Sequence, residues 1–146
     1  MNHLHLLLAD EDERFLRSTR TMLEKRKLNV QSAGDKQQVQ RILEQKLIDV
    51  MLLSVSLPVT DGLEVLRSVK HEHPLIEVIM LSPLAMAALA IEGIRLGAFD
   101  YLIKPCDISD LLTKAVDAHV RKQANQERIR KATIERIVSH PMAALE

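Results

Sequence analysis

Apolar residues fall along this chain in two alternating rhythms. Short, nearly unbroken runs occur at Leu4 to Ala9, Val50 to Leu53, Val78 to Leu81 and Tyr101 to Ile103, with a weaker one at Asn29 to Ala33. Such runs are too brief for a core helix, and four of them show little polar alternation, as strands covered on both faces do. Between them apolar positions return at helical spacing: Phe15, Leu16, Met22 and Leu23; Val39, Ile42 and Leu43; Leu63, Leu66 and Val69; and Ile91 and Ile94 on an alanine-rich segment. A last set comprises Leu111, Leu112, Ala115, Val116, His119 and Val120. Five strands alternating with five helices predict an α/β fold, a doubly wound, five-stranded parallel sheet with helices on both faces.

The breakers agree with this scheme. Gly34 follows the second strand, Pro58 and Gly62 precede the third helix, Pro74 follows it, Gly97 closes the fourth and Pro105 follows the fifth strand. Past residue 120 the composition changes, with six basic and two acidic residues between 121 and 136. The division expected is a domain at 1–120 and a helical C-terminal extension at 121–146, with Ile129, Ile134, Ile137 and Val138 as its partner-facing stripe.

Bulk composition then narrows the class. A chain of 146 residues with 47% apolar content suffices for one substantial core. Equal numbers of acidic and basic residues leave no net field toward nucleic acid or anionic membrane. The basic extension has no aromatic stacking residue, so a solvated helix used for docking or dimerisation is favoured over nucleic-acid binding. Cys106 is the only cysteine, which excludes an intramolecular disulfide and fits a reducing compartment. The N-terminus has no basic region ahead of its short apolar run, so neither a signal peptide nor a membrane span is expected, and the location expected is cytoplasmic.

In open parallel sheets, ligands bind outside the carboxyl ends of the strands. Here those ends carry Asp10 and Glu11 after the first strand, Ser54 after the third, Ser82 after the fourth, and Lys104 with Pro105 after the fifth. Adjacent carboxylates of this kind suit Mg²⁺, although Asp10 and Asp12 could equally serve the start of the first helix. Asp49 should lie at the other end of the third strand, about 17 Å away, and Asp61 reads as a helix cap. His3 and His5 share a face of the first strand and His71 and His73 lie near the end of the third helix; without a further ligand these read as structural histidines. A hydrolase built on Ser54, Ser82 and Lys104 would lack the G-x-S-x-G elbow, an oxyanion glycine and a histidine at a strand end.

The stretches LLLADEDE at 6–13, DVMLLSVSLPVTDGLEVLRSVK at 49–70, EVIMLSP at 77–83 and AIEGIRLGAFDYLIKPCD at 90–107 are similar to the receiver domain of bacterial two-component response regulators, in order and at family-like spacing. The resemblance implies a CheY-like, flavodoxin-like fold. It also implies an acidic pair, Asp10 and Glu11, that with the backbone carbonyl of Ser56 holds Mg²⁺; a switch hydroxyl, Ser82; a switch aromatic, Tyr101; and a phosphoryl-contacting lysine, Lys104, ahead of Pro105. Its phosphoacceptor aspartate falls on Ser54.

That departure bears on the central reaction. Phosphoryl transfer needs an anionic oxygen held in line beside a metal, and a neutral hydroxyl would need a base. Asp10, Glu11 and Lys104 sum to −1 where an aspartate at 54 would make −2, so Mg²⁺ is expected to be weak or absent and Lys104 to turn to Asp10 or Glu11. Ser56 and Val59-Thr60 also depart from the family pattern, in which glycine commonly follows the proline. The loop therefore reads as naturally diverged. The expectation is a non-enzymatic, pseudo-receiver module that binds a protein, a histidine kinase or downstream signalling protein or a second copy of itself. The alternatives are a conventional phospho-aspartate receiver in which Ser54 was introduced, and a small hydrolase.

Overall fold

The computed structural model describes residues 4–140; of the sequence-level candidates, His3 lies outside them. In chain order the elements are β1 (His5–Ala9), α1 (Glu13–Glu24), β2 (Asn29–Ala33), α2 (Lys36–Gln45), β3 (Val50–Ser54), β4 (Ser56–Leu57), β5 (Thr60–Asp61), α3 (Gly62–Glu72), β6 (Glu77–Pro83), α4 (Ala87–Arg95), β7 (Asp100–Lys104) and α5 (Ile108–Ser139). Five strands form one parallel sheet in the order β2-β1-β3-β6-β7. The order reverses between β1 and β3, which fixes where the crevice opens.

Burial follows sheet position. All five residues of β3 are buried, because helices cover both of its faces and strands flank both of its edges. The edge strand β2 has only Val30 and Ala33 buried, the physical reason its apolar run is weak. One core layer joins the sheet to α2, α3 and α4 through Val39, Val65, Leu66, Val69 and Ala90. The other joins it to α1 and α5 through Leu16, Leu23, Leu111, Ala115 and Ala118.

Four helix starts are fixed by aspartate. Asp12, Asp35, Asp61 and Asp107 each accept backbone N–H groups of the following first turn, satisfying donors that the helix itself cannot. By contrast α4, preceded by a single 3₁₀ turn at Leu84–Met86, has no side-chain cap.

One feature differs from the sequence expectation: the antiparallel pair β4 and β5 inserts a small hairpin between β3 and α3. The helical extension expected beyond residue 120 is a continuation of α5, which runs unbroken to Ser139 and packs on the domain as far as Lys122. The core-facing stripe Leu111, Ala115 and Ala118 simply continues one turn further.

Candidate functional site

The strand ends on either side of the order reversal converge as the topology requires. Asp10 follows β1 and is 1% exposed. Its backbone N–H is tied to the Ala33 carbonyl at 3.1 Å, and its Oδ1 accepts the Asp12 N–H at 3.0 Å. The ammonium of Lys104, from the end of β7, reaches Asp10 Oδ2 at 2.6 Å. It also lies 4.3 Å from the centre of the Phe15 ring, which adds a cation–π attraction. Lys104 is thus clamped between a buried carboxylate and an aromatic face, and the Lys104-Pro105 peptide is cis.

A second chain of contacts runs through the end of β3. The Ser54 side chain is almost fully buried, and its Oγ accepts the Ser56 N–H at 3.1 Å. The Ser56 hydroxyl donates to Glu11 Oε1 at 2.8 Å. Val55 N–H donates to the Leu81 carbonyl at 2.9 Å, and Gly62 N–H to the Val55 carbonyl at 2.9 Å, so the loop leaving β3 is fastened on both sides. Ser82, fully buried at the end of β6, donates its hydroxyl to the Pro83 carbonyl at 2.7 Å. Tyr101 sits half-buried on β7, against the layer formed by α2, α3 and α4. Burial pushes the Cys106 thiol up from its ordinary value, away from the thiolate form.

The structure therefore joins Asp10 to Lys104, and Glu11 to Ser56 and Ser54. Ser82 and Tyr101 lie on the neighbouring strands with partners of their own. Phe15 under Lys104 and the hydroxyl role of Ser56 are additions; the i, i+5 step from Asp10 to Phe15 carries no periodic signal that would have marked it.

Mg²⁺ would need oxygen ligands free to face it. Here Asp10 carries an ammonium, Glu11 holds a hydroxyl, and Ser54 is neutral with its oxygen turned to an amide. Among the described residues, no group of three or more His, Cys, Asp or Glu is placed to hold a metal ion. This donor set does not fit a tight divalent-cation site.

The hairpin beside the site carries a backbone cost. Val59 has φ 66°, a conformation natural to glycine and costly for a β-branched residue, and its side chain is fully exposed, with no packing to offset the cost. Val59→Gly is expected to stabilise the protein by about 1 kcal/mol, less the unfolded-state entropy glycine adds. Thermal denaturation should show a midpoint raised by about 3 °C.

Residues 6–117 match the family described as the response regulator receiver domain. The chain is 30% identical over 122 residues to the alginate biosynthesis transcriptional regulatory protein AlgB of Pseudomonas putida, covering 83% of this chain and 27% of that protein. It thus spans about a quarter of that relative's length. A solved receiver domain from Clostridium thermocellum superposes with a TM-score of 0.78 at 28% identity, covering 83% of this chain and 98% of that one. A CheY-like receiver from Methanospirillum hungatei gives 0.77 at 24% identity over 84% and 98%, a likeness of fold.

Proposed function

The chain belongs to the response regulator receiver domain family of two-component signalling, and from that premise we propose that it is a degenerate receiver, one that signals by binding a protein and not by accepting a phosphoryl group. The observation that carries this reading is the state of Ser54. It stands where the family resemblance puts the phosphoacceptor, yet it offers a neutral, buried hydroxyl already engaged with the Ser56 N–H. Among the described residues no carboxylate or imidazole lies in hydrogen-bond contact with that hydroxyl to take its proton, and the nearby ammonium is spent on Asp10.

A phosphoserine, were it formed, would be an alkyl ester without the spontaneous turnover of an acyl phosphate. Receivers of this family typically bind Mg²⁺ at their acidic pocket; here binding is weak or absent, for want of a third anion and because Lys104 already neutralises Asp10. The module is non-catalytic and acts in the cytoplasm.

The surface of α4, β7 and α5 is the one offered to a partner, a histidine kinase, a downstream signalling protein or a second copy. Leu84, Ile91 and Ile94, spread from the 3₁₀ turn to the end of α4, are exposed large apolar side chains there. Incubation with acetyl phosphate and MgCl₂ is expected to leave the intact mass unchanged, and millimolar Mg²⁺ to leave the backbone amide shifts of residues 9–12 and 54–57 unmoved. An acid-stable phosphoryl ester on Ser54, or a hydroxylamine-labile acyl phosphate on any carboxylate of the chain, would overturn the reading.

A further inference from the structure

A second set of charges is buried at the opposite end of the sheet. Asp49, just ahead of β3, and Lys122, on α5, are 4% and 6% exposed, and the ammonium meets Asp49 Oδ1 at 2.6 Å. The other carboxylate oxygen accepts the His5 backbone N–H at 2.9 Å. Asp49's own N–H donates to the His5 carbonyl at 2.8 Å, and its carbonyl accepts the Glu77 N–H at 3.2 Å. The bases of β1, β3 and β6 and the root of α5 thus meet on one residue.

His119 faces the same carboxylate. Its Nδ1 is 3.9 Å from Asp49 Oδ2, buried, and without a hydrogen-bond partner among the described residues. A buried polar atom with no partner carries a desolvation cost. With His119 neutral, the cluster of Asp49 and Lys122 is charge-balanced. A proton on His119 would leave this buried cluster with a net positive charge, because Lys122 already neutralises Asp49.

We propose that Asp49, His119 and Lys122 form a proton-sensitive latch that holds the root of α5 to the base of the sheet, and that protonating His119 opens it. Position gives the latch its leverage. Lys122 is the last buried residue of α5, and the helix runs on to Ser139 with its side chains exposed from Gln126 onward. Opening the latch frees the direction of that extension without disturbing Asp10, Ser54 or Lys104.

The groups facing His119 are Asp49 at the base of β3, His5 on β1 and Lys122 on its own helix; Glu77, at the base of β6, is 3.9 Å from Lys70. Burial, first, holds the His119 imidazole below its ordinary value; Asp49 opposes this, while Lys122 and His5 add to it. A base whose folded value is depressed contributes fully above the ordinary imidazole range. That contribution is lost as pH falls through that range toward the folded value. The latch is therefore closed at neutral pH and opens on mild acidification.

Hydrogen–deuterium exchange, corrected for intrinsic chemistry, tests this at about pH 7.5 and pH 5.5, on either side of the ordinary imidazole value. Amides of residues 112–126 are expected to exchange faster at the lower pH relative to those of β3, by up to about tenfold, the most that one pH unit below the ordinary imidazole value can supply. His119→Leu should exchange at one slow rate at both pH values, with His119→Gln as the second variant if the first fails to fold. Asp49→Asn should exchange fast at both, and Lys122→Met likewise. A native protein whose α5 root shows no pH dependence, a pH dependence that survives in His119→Leu or His119→Gln, or an NMR titration of the His119 ring with an ordinary midpoint would overturn the latch.

Discussion

Ser54→Asp is expected to turn a protein inert to acetyl phosphate into one that forms a Mg²⁺-dependent, hydroxylamine-labile acyl phosphate. The substitution adds the missing anionic oxygen at the end of β3, where the Ser56 N–H already donates to the side chain at this position. It changes the summed charge of the acidic pair, the acceptor and Lys104 from −1 to −2. It also gives Lys104 a second carboxylate to contact, which weakens its hold on Asp10 and opens that residue to a cation. One added carboxylate beside a cation is worth up to about 4 kcal/mol per unit charge near a protein surface before desolvation is subtracted. A rise of at least about tenfold in Mg²⁺ affinity, ~1.4 kcal/mol, is a modest share of that.

Intact-mass measurement before and after hydroxylamine reads the adduct, and amide shifts read the metal. Ser54→Asn, isosteric and neutral, should stay inert in both. If Ser54→Asp also stays inert, the block lies in the diverged loop at 56–60 or in the Lys104 clamp, and the acceptor alone does not explain the silence.

Why the fold was readable while parts of the site were not comes down to range. The run at Val50 to Leu53 announces a central strand because all of its side chains are buried, and the aspartate at four of the five helix starts is a local signal. The hairpin formed by β4 and β5 was invisible because its turn rests on Val59 at φ 66°, where sequence rules would ask for glycine. The strand-end residues were found by position, and the turn of Lys104 to Asp10 followed from the missing acceptor charge, but the Ser54–Ser56–Glu11 contacts did not. Ser56 was named for its backbone carbonyl; that its hydroxyl also reaches Glu11 carried no sequence signal. Lys122 was counted into a basic, solvated run; its place one turn beyond Ala118 on the inward stripe was the cue, and long-range pairing with Asp49 decided its burial.

Gly62→Ala is expected to cost about 3 kcal/mol, the upper range for overpacking. At the size of this domain that lowers the melting midpoint by about 10 °C. Gly62 opens α3 behind the Asp61 cap, so the reason for glycine there is space. A Cβ would stand 2.0 Å from the Ser54 carbonyl oxygen and 2.8 Å from the Val55 Cα. Both are backbone atoms of the site strand and its exit, and cannot swing aside as a flexible side chain would. Relief requires the end of β3 to separate from α3, which breaks the Gly62 N–H bond to the Val55 carbonyl and shifts Ser54 itself. Gly34→Ala is the matched control. Its nearest neighbour would be Gln38 Oε1 at 3.6 Å, ordinary contact, and its effect should stay within about 0.5 kcal/mol. Equal melting of the two variants would mean that α3 is not seated against the strand end. In the Ser54→Asp background, Gly62→Ala should also lower phosphoryl uptake, because the packing that fixes α3 fixes the acceptor's place beside Glu11.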